Sequence, residues 1–513
     1  MKLTTRKVSL LSAVFLCNGC VAGLPMVGSG AGIPGLDSIS SFVDPNTSTT
    51  QSASSGSTDD KELVGMDSEV PELMNELVSG KKLDINAVLA DDVDGIDEAL
   101  ARSERGRLAQ IQGDLGTSIT ELGYAADEVD DFDSRALVSL RNLGAQAAAV
   151  VVNDNMIPYE PAGFEKVLVY HFQALNYLMD GKVEDAGVEV RRANAEQEAA
   201  LKAHEEELAE AEEEAKDKGF SASDFEDGIS KTLGSSRAVA ALVKNSFQNA
   251  YTFYMSGVVH EIMNEQNDAY IDYKKALEIA PTNGVIQRDV ARLAKELSMT
   301  DDIEGFKKSM PGAFGSAKGF DRSKNEVIVF FEDGVVPGKQ AVWFPIPIPI
   351  PGSPGLTSIA IPTFKASVAP VHPLTLSAGG TQLGRSERIC AIDALAVKAY
   401  EESAPSMIAR QVVRAAIKGA ASSLASHYGG SLAGLAVSAV GAATEIADTR
   451  SWRSLPQNAQ VIRAQAAPGS TLSLVHDGSG ARGSITLPKE AGKRVVVRAV
   501  RLGSKLFISN VTL

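Results

Sequence analysis

The stretch that most constrains the fold is a 34-residue unit at 250–283, where Gly257, Ala269, Tyr273, Ala276 and Pro281 recur at helical spacing. The pattern predicts two antiparallel helices. Gly257 and Ala269 are small enough to let the helices approach, Tyr273 fills the gap above them, and Pro281 ends the second helix. Two weaker copies share the frame: Gly106, Ser118, Leu122 and Ala125 in 99–132, and Tyr170, Ala174, Tyr177, Ala186 and Ala193 in 167–200. Their starts differ by 68 residues, twice the period, which leaves room for a degenerate unit at 133–166.

The unit resembles a tetratricopeptide (TPR) repeat, with Phe253 in the usual Trp place. That resemblance implies an array whose first helices line a concave partner-binding groove, formed here by Leu168, His171, Leu175, Tyr251, Tyr254 and Val258. Beyond residue 190 the second helix of the 167–200 unit runs on through Glu196–Lys216. Its apolar stripe is thin, which favours a solvated helix ending at Gly219 over an acidic protein-binding arm.

At the N-terminus Lys2, Arg6 and Lys7 precede an apolar run, Val8 to Leu16, that is too short to span a bilayer. The run leads into Asn18-Gly19-Cys20, so residues 1–19 read as a secretory signal. The ending resembles the bacterial lipoprotein signal, although Cys17 stands where that family prefers Leu. The resemblance implies cleavage before Cys20 and its acylation, and Val21 after it implies sorting to the outer membrane. Residues 20–60 have the Gly/Ser/Thr composition of a flexible tether.

After a helical segment over 61–300 and a Gly/Pro-punctuated linker at 301–325, the apolar period changes from 3.6 to 2. Strands are predicted at Glu326–Glu332, Lys339–Phe344, Ser358–Pro362, Thr381–Ile389, Gln460–Gln465, Thr471–Val475, Gly483–Leu487, Arg494–Arg501 and Lys505–Val511. The proline alternation Pro345 to Pro351 fits a sheet edge or a polyproline II segment. A helical insertion is expected around 391–447, and its uncharged part, Gly419 to Thr444, is read as close helix packing over the sheet. The fold class is therefore α + β and multidomain: an N-terminal TPR-like helical repeat array followed by a C-terminal β-sandwich at 326–513 with a helical insertion.

Little in the sequence suggests catalysis. The six histidines are scattered, and there is neither a phosphate-binding loop nor a nucleophile elbow. Cys390 is the one thiol far from the signal and reads as a buried small hydrophobe. No cofactor or metal is expected. A formal charge of −16 argues against a nucleic-acid partner. The charge is uneven, however: residues from 448 onward carry +7 and those before carry −23. Lys493, Arg494, Arg498 and Arg501 form a basic strand that offers an alternative site for peptidoglycan, lipopolysaccharide or lipid, or else a dock for the chain's own acidic helices.

The runs YEPAGFEKVLVYHFQALNYLMDGKVEDAGVEVRRAN (159–194), NSFQNAYTFYMSG (245–257) and ADTRSWRSLP (447–456) resemble a family of uncharacterised bacterial TPR-containing periplasmic lipoproteins. In the last of these, Asp448 and Arg450 are expected to form a buried pair beside an anchoring Trp452. The resemblance implies a non-catalytic scaffold, anchored to the outer membrane by its lipid and facing the periplasm. Its partner would be a protein of the cell envelope.

Overall fold

Asn249 and Asn283 each open a helix by accepting backbone N–H groups: Asn249 from Tyr251 at 2.9 Å, and Asn283 from Val285 and Ile286 at 3.0 Å each. The computed structural model describes residues 66–93, 95–139, 158–218, 234, 236–350, 353–404 and 447–513. Its helices are Met66–Ser79 (α1), Glu98–Gln112 (α2), Leu115–Ser139 (α3), Gly163–Met179 (α4), Val183–Lys218 (α5), Ser236–Ala240 (α6), Ala250–Ile262 (α7), Gln266–Ile279 (α8), Gly284–Glu296 (α9), Thr300–Ser309 (α10) and Pro311–Ser316 (α11). Residues 392–404 form a further helix, α12.

Three hairpins, α2/α3, α4/α5 and α7/α8, pack in the register that the small residues predict. A Cβ on Gly257 would stand 2.5 Å from the Tyr273 ring, and one on Gly106 would stand 2.6 Å from Leu122 Cγ. Leu122 and Tyr273 hold the same place in the 34-residue frame, as do the buried Ser118, Ala186 and Ala269, and likewise Ala125, Ala193 and Ala276. The hairpins stack in chain order, α3 on α4, α5 on α7 and α8 on α9. Helix α5 continues to Lys218, as expected. Most of the degenerate unit at 133–166, the signal, the tether, Cys20 and residues 405–446 of the insertion lie outside the described residues.

The expected linker at 301–325 needs correction, because α10 and α11 occupy most of it and pack on α9. Pro311 stands at the first position of α11, where its missing N–H costs nothing, so it starts a helix where a break was expected.

The strands are Asn325–Asp333 (β1), Lys339–Ile350 (β2), Ser353–Phe364 (β3), Leu374–Ala378 (β4), Thr381–Arg385 (β5), Glu387–Ala391 (β6), Asn458–Ala466 (β7), Thr471–His476 (β8), Arg482–Thr486 (β9), Arg494–Leu502 (β10) and Lys505–Thr512 (β11). They form a five-stranded sheet ordered β11-β10-β1-β7-β6, a four-stranded sheet ordered β5-β4-β8-β9, and a separate β2–β3 ribbon. The pair β1–β10 is parallel, running from Glu326↔Arg494 to Asp333↔Arg501, and the other pairs are antiparallel.

Alternation along β1 divides its side chains between two cores. Ile328 and Phe330 join the cluster that fills the helical array, while Val327, Val329 and Phe331 join the cluster shared with the four-stranded sheet. The result is a mixed α and β molecule in which helices cover one face of the five-stranded sheet and the second sheet covers the other. One apolar cluster runs from the array into the sheet, and Glu62–Leu513 form one compact unit, so the 61–300 and 326–513 segments share a core.

Candidate functional site at the junction of helices and sheet

The six residues expected to line an open groove, Leu168, His171, Leu175, Tyr251, Tyr254 and Val258, are all fully buried. The chain's own sheet covers them. Phe330 of β1 lies 5.9 Å from the Tyr251 ring and 6.4 Å from that of Tyr254, while His171 stacks on Tyr251 at 4.2 Å. His171 shares a 3.2 Å hydrogen bond with Thr252, and burial lowers its pKa to about 3, so it is neutral at physiological pH. The expectation of a free groove is thus corrected: a strand with an apolar centre, Val327–Phe331, and acidic residues at its ends has filled it.

Acidic residues of β1 share their side of the strand with Ile328 and Phe330 and therefore enter the junction. Glu332, fully buried, meets Arg107 of α2 at 2.7 Å and Arg498 of β10 at 3.1 Å. Burial would raise its carboxyl, but the two guanidiniums outweigh that effect and hold it at about 2. Arg107 also lies 3.8 Å over the Phe172 ring, and Arg498 donates to the Gln110 carbonyl at 2.9 Å.

A second centre joins five elements. Glu261 of α7 contacts Arg292 of α9 at 2.9 Å, Arg463 of β7 at 3.0 Å and Arg494 of β10 at 3.2 Å. Glu326 accepts from Arg463 and Arg494, and Asp289 accepts from Tyr254 at 2.8 Å and lies 3.2 Å from Arg463. Three carboxylates therefore face three guanidiniums. Burial opposes ionisation of Glu261, yet Arg463, Arg292 and Arg494 hold its carboxyl well below the usual range. A cleft of about 170 Å³ opens beside this centre, with Arg288 and Lys318 also among its lining residues.

A third contact straps residues 448–454 to the array. Arg450 binds Asp448 at 2.7 Å and Asp97 at 2.6 Å. Trp452, buried as expected, donates its backbone N–H to Glu165 at 3.1 Å, and its ring meets Phe172 edge-on. Glu104 accepts the backbone N–H groups of Arg453 and Ser454. Burial raises the Glu104 carboxyl to about 7, against the lowering effect of those hydrogen bonds.

The basic strand is likewise engaged from within. Arg494 is bound by Glu261 and Glu326, Arg498 by Glu332, and Arg501 by Asp333, while Lys493 lies 3.5 Å from Glu490. It docks the chain's own acids, chiefly Glu326, Glu332 and Asp333 of β1, with Glu261 of α7 the one contribution from a helix, so the expected dock for acidic helices holds only in part. Cys390 is buried, and burial, with Asp393 nearby, pushes its thiol well above the usual range. Among the described residues no cluster of three or more His, Cys, Asp or Glu is placed to hold a metal, and no helix is long and apolar enough to cross a membrane.

Sequence reasoning missed Arg107, Glu261, Glu332 and Arg463. The strand parity of Glu326 and Glu332 was the available signal, since both alternate in step with apolar Ile328 and Phe330. No protein-family model matches the chain, and no curated protein is significantly similar to it.

Proposed function

We propose that the chain is a non-catalytic envelope lipoprotein, anchored to the outer membrane through Cys20 and facing the periplasm. Its TPR-like array holds the C-terminal β-sandwich as an internal ligand, making one rigid scaffold for protein partners. The observation that carries this reading is the charge-balanced centre of Glu261, Glu326 and Asp289 with Arg292, Arg463 and Arg494, which joins array and sheet where a repeat array would otherwise bind another protein. A buried network of this kind fixes geometry, since losing one partner strands a charge away from water.

The engaged histidine and the shielded thiol favour a binding role over catalysis. The alternative, an envelope polymer or lipid bound through Lys493, Arg494, Arg498 and Arg501, is disfavoured because three of those four side chains hold internal carboxylates.

Two experiments test the proposal. Metabolic labelling with radioactive palmitate should mark the wild-type chain and not Cys20→Ser; equal labelling would remove the anchor. Crosslinking in intact cells followed by pull-down should recover envelope proteins joined to outward-facing positions of the array. Crosslinks confined to β10 and an envelope polymer would replace the scaffold by its alternative.

A further inference from the structure

The 34-residue spacing continues past Pro281. Its next period begins at Gly284, where α9 begins, and buried Ala291 stands at the place of Gly257. Leu168, His171 and Leu175 occupy the second, fifth and ninth places of one unit, and Tyr251, Tyr254 and Val258 those of another; in α9 the same places are Val285, Arg288 and Arg292. Val285 and Arg292 are buried like their counterparts, but the Arg288 side chain is 41% exposed. The sheet thus stops short of covering the end of the groove, and what it leaves is the cleft of about 170 Å³ between α9, residues 316–320, Glu326 of β1 and the end of β7.

The groove changes chemistry at that end. Four cations, Arg288, Arg292, Lys318 and Arg463, line the cleft against two carboxylates, Asp289 and Glu326. Arg292 and Arg463 are taken up by the buried centre, where three carboxylates face three guanidiniums. Arg288 and Lys318 lie outside that balance. Lys318 is exposed and makes no hydrogen bond or ion pair among the described residues. Arg288 meets Glu387 of β6 at 3.5 Å, and that carboxylate, itself exposed, already accepts the Gly284 N–H at 2.6 Å. An exposed pair at that distance contributes little and leaves the guanidinium able to turn to a ligand. Glu296, near Gly319 at the rim, lies 3.5 Å from Arg292.

We infer that this open end of the groove is where a partner protein docks a short acidic segment, one or two carboxylates beside a small apolar side chain. Arg288 and Lys318 receive the carboxylates, and Val285 and Phe320 flank the apolar side chain. Sites that enclose a whole drug-sized ligand measure about 300–1,000 Å³, so the smaller volume here suits part of a larger molecule, presented from outside. A long polyanion is repelled by a chain of net charge −16, whereas two cations answer one or two carboxylates. The inference rests on the scaffold reading and gives the partner a chemistry; Cys20 plays no part in it.

Fluorescence anisotropy of the purified full-length protein tests the site, with a fluorescein-labelled pool of hexapeptides carrying Glu-Val-Glu at the centre and random uncharged residues elsewhere. The acidic pool should bind, more weakly as salt is added, and a Gln-Val-Gln pool should bind at least about tenfold more weakly. Arg288→Ala with Lys318→Ala should weaken the acidic pool by about tenfold or more at an unchanged melting temperature. Lys307→Ala with Lys308→Ala, which removes the same charge from α10 outside the cleft, should leave binding as it is. No binding by the acidic pool, equal binding by the glutamine pool, or equal loss in the two double variants would overturn the docking site. Glutarate and phosphate serve as competitors: displacement by either at concentrations below that of the peptides would make a free small anion the occupant and overturn it too. If the double variant does not fold, Lys318→Glu decides alone, because that side chain has no partner among the described residues to lose. Failure of these tests leaves crosslinks elsewhere on the array intact, whereas peptide binding without any envelope crosslinks would sink the scaffold reading and keep the site.

Discussion

Glu261 and Arg463, 202 residues apart in sequence, meet through two 3.0 Å contacts in which one guanidinium nitrogen reaches both carboxylate oxygens. Both side chains are more than nine-tenths buried. Arg463→Leu removes a cation that Glu261, Glu326 and Asp289 share, leaving three buried carboxylates to two arginines. The expected loss is about 3–5 kcal/mol in denaturant unfolding. A loss under about 1 kcal/mol would show that the centre is solvated.

Close approach at Gly257 makes a second expectation. Gly257→Ala drives a methyl into the Tyr273 ring and should cost about 1–3 kcal/mol. Gly305, also helical, has nothing within 4 Å of the place a Cβ would take, so Gly305→Ala should be neutral or stabilise by up to about 1 kcal/mol. Melting temperatures that fall equally would refute the packing.

Tyr251 and Tyr254 are both fully buried but differ in their hydroxyls. That of Tyr254 donates to Asp289 at 2.8 Å, whereas that of Tyr251 has no hydrogen-bond partner among the described residues. Tyr254→Phe should therefore cost about 1.5–3 kcal/mol, and Tyr251→Phe should be neutral or stabilising. A larger loss at Tyr251 in chemical denaturation would contradict this arrangement.

Two buried glutamates pull the pH profile in opposite directions. Glu332 titrates at about 2 against an ordinary 4.5, so its contribution is present above pH 4.5 and disappears as pH falls toward 2. Glu104 titrates at about 7 against 4.5, so the folded state holds the extra proton and stability declines as pH rises from about 4.5 to 7. Glu104→Gln should flatten that decline, which amounts to about 3 kcal/mol at most. Unfolding free energies at pH 5 and pH 8 measure it, and an unchanged slope would exclude Glu104 as its source.

Local periodicity made much of the architecture legible. The 8-to-24 contact of the repeat frame appears as Gly257–Tyr273 and Gly106–Leu122 because a glycine opposite a bulky residue is a local signature of crossing helices. Eight of the nine predicted strands are present, since period-2 alternation survives in a single sequence, whereas the ninth, Thr381–Ile389, divides at Ser386 into β5 and β6 of different sheets. Leu374–Ala378 escaped the reading. The groove was misjudged for a different reason. Tyr251 and Phe330 meet only through tertiary docking, and no sequence period announces which surface of one segment covers another. Arg107 and Glu332, 225 positions apart, were invisible on the same grounds.

The parallel pair β1–β10 also has a temporal meaning. Strand β1 ends at Asp333, but its neighbour begins at Arg494, so 160 residues must emerge from the ribosome before β1 acquires that edge. Until then Phe330 and Glu332 lack the pairing that fixes them against the helices. At roughly 5–20 residues per second the interval lasts on the order of ten seconds or more, long compared with the formation of a helical hairpin. The array can form early while the junction waits, so the nascent chain spends that interval with its most apolar helical surface uncovered, and it is then that a holding chaperone would matter most.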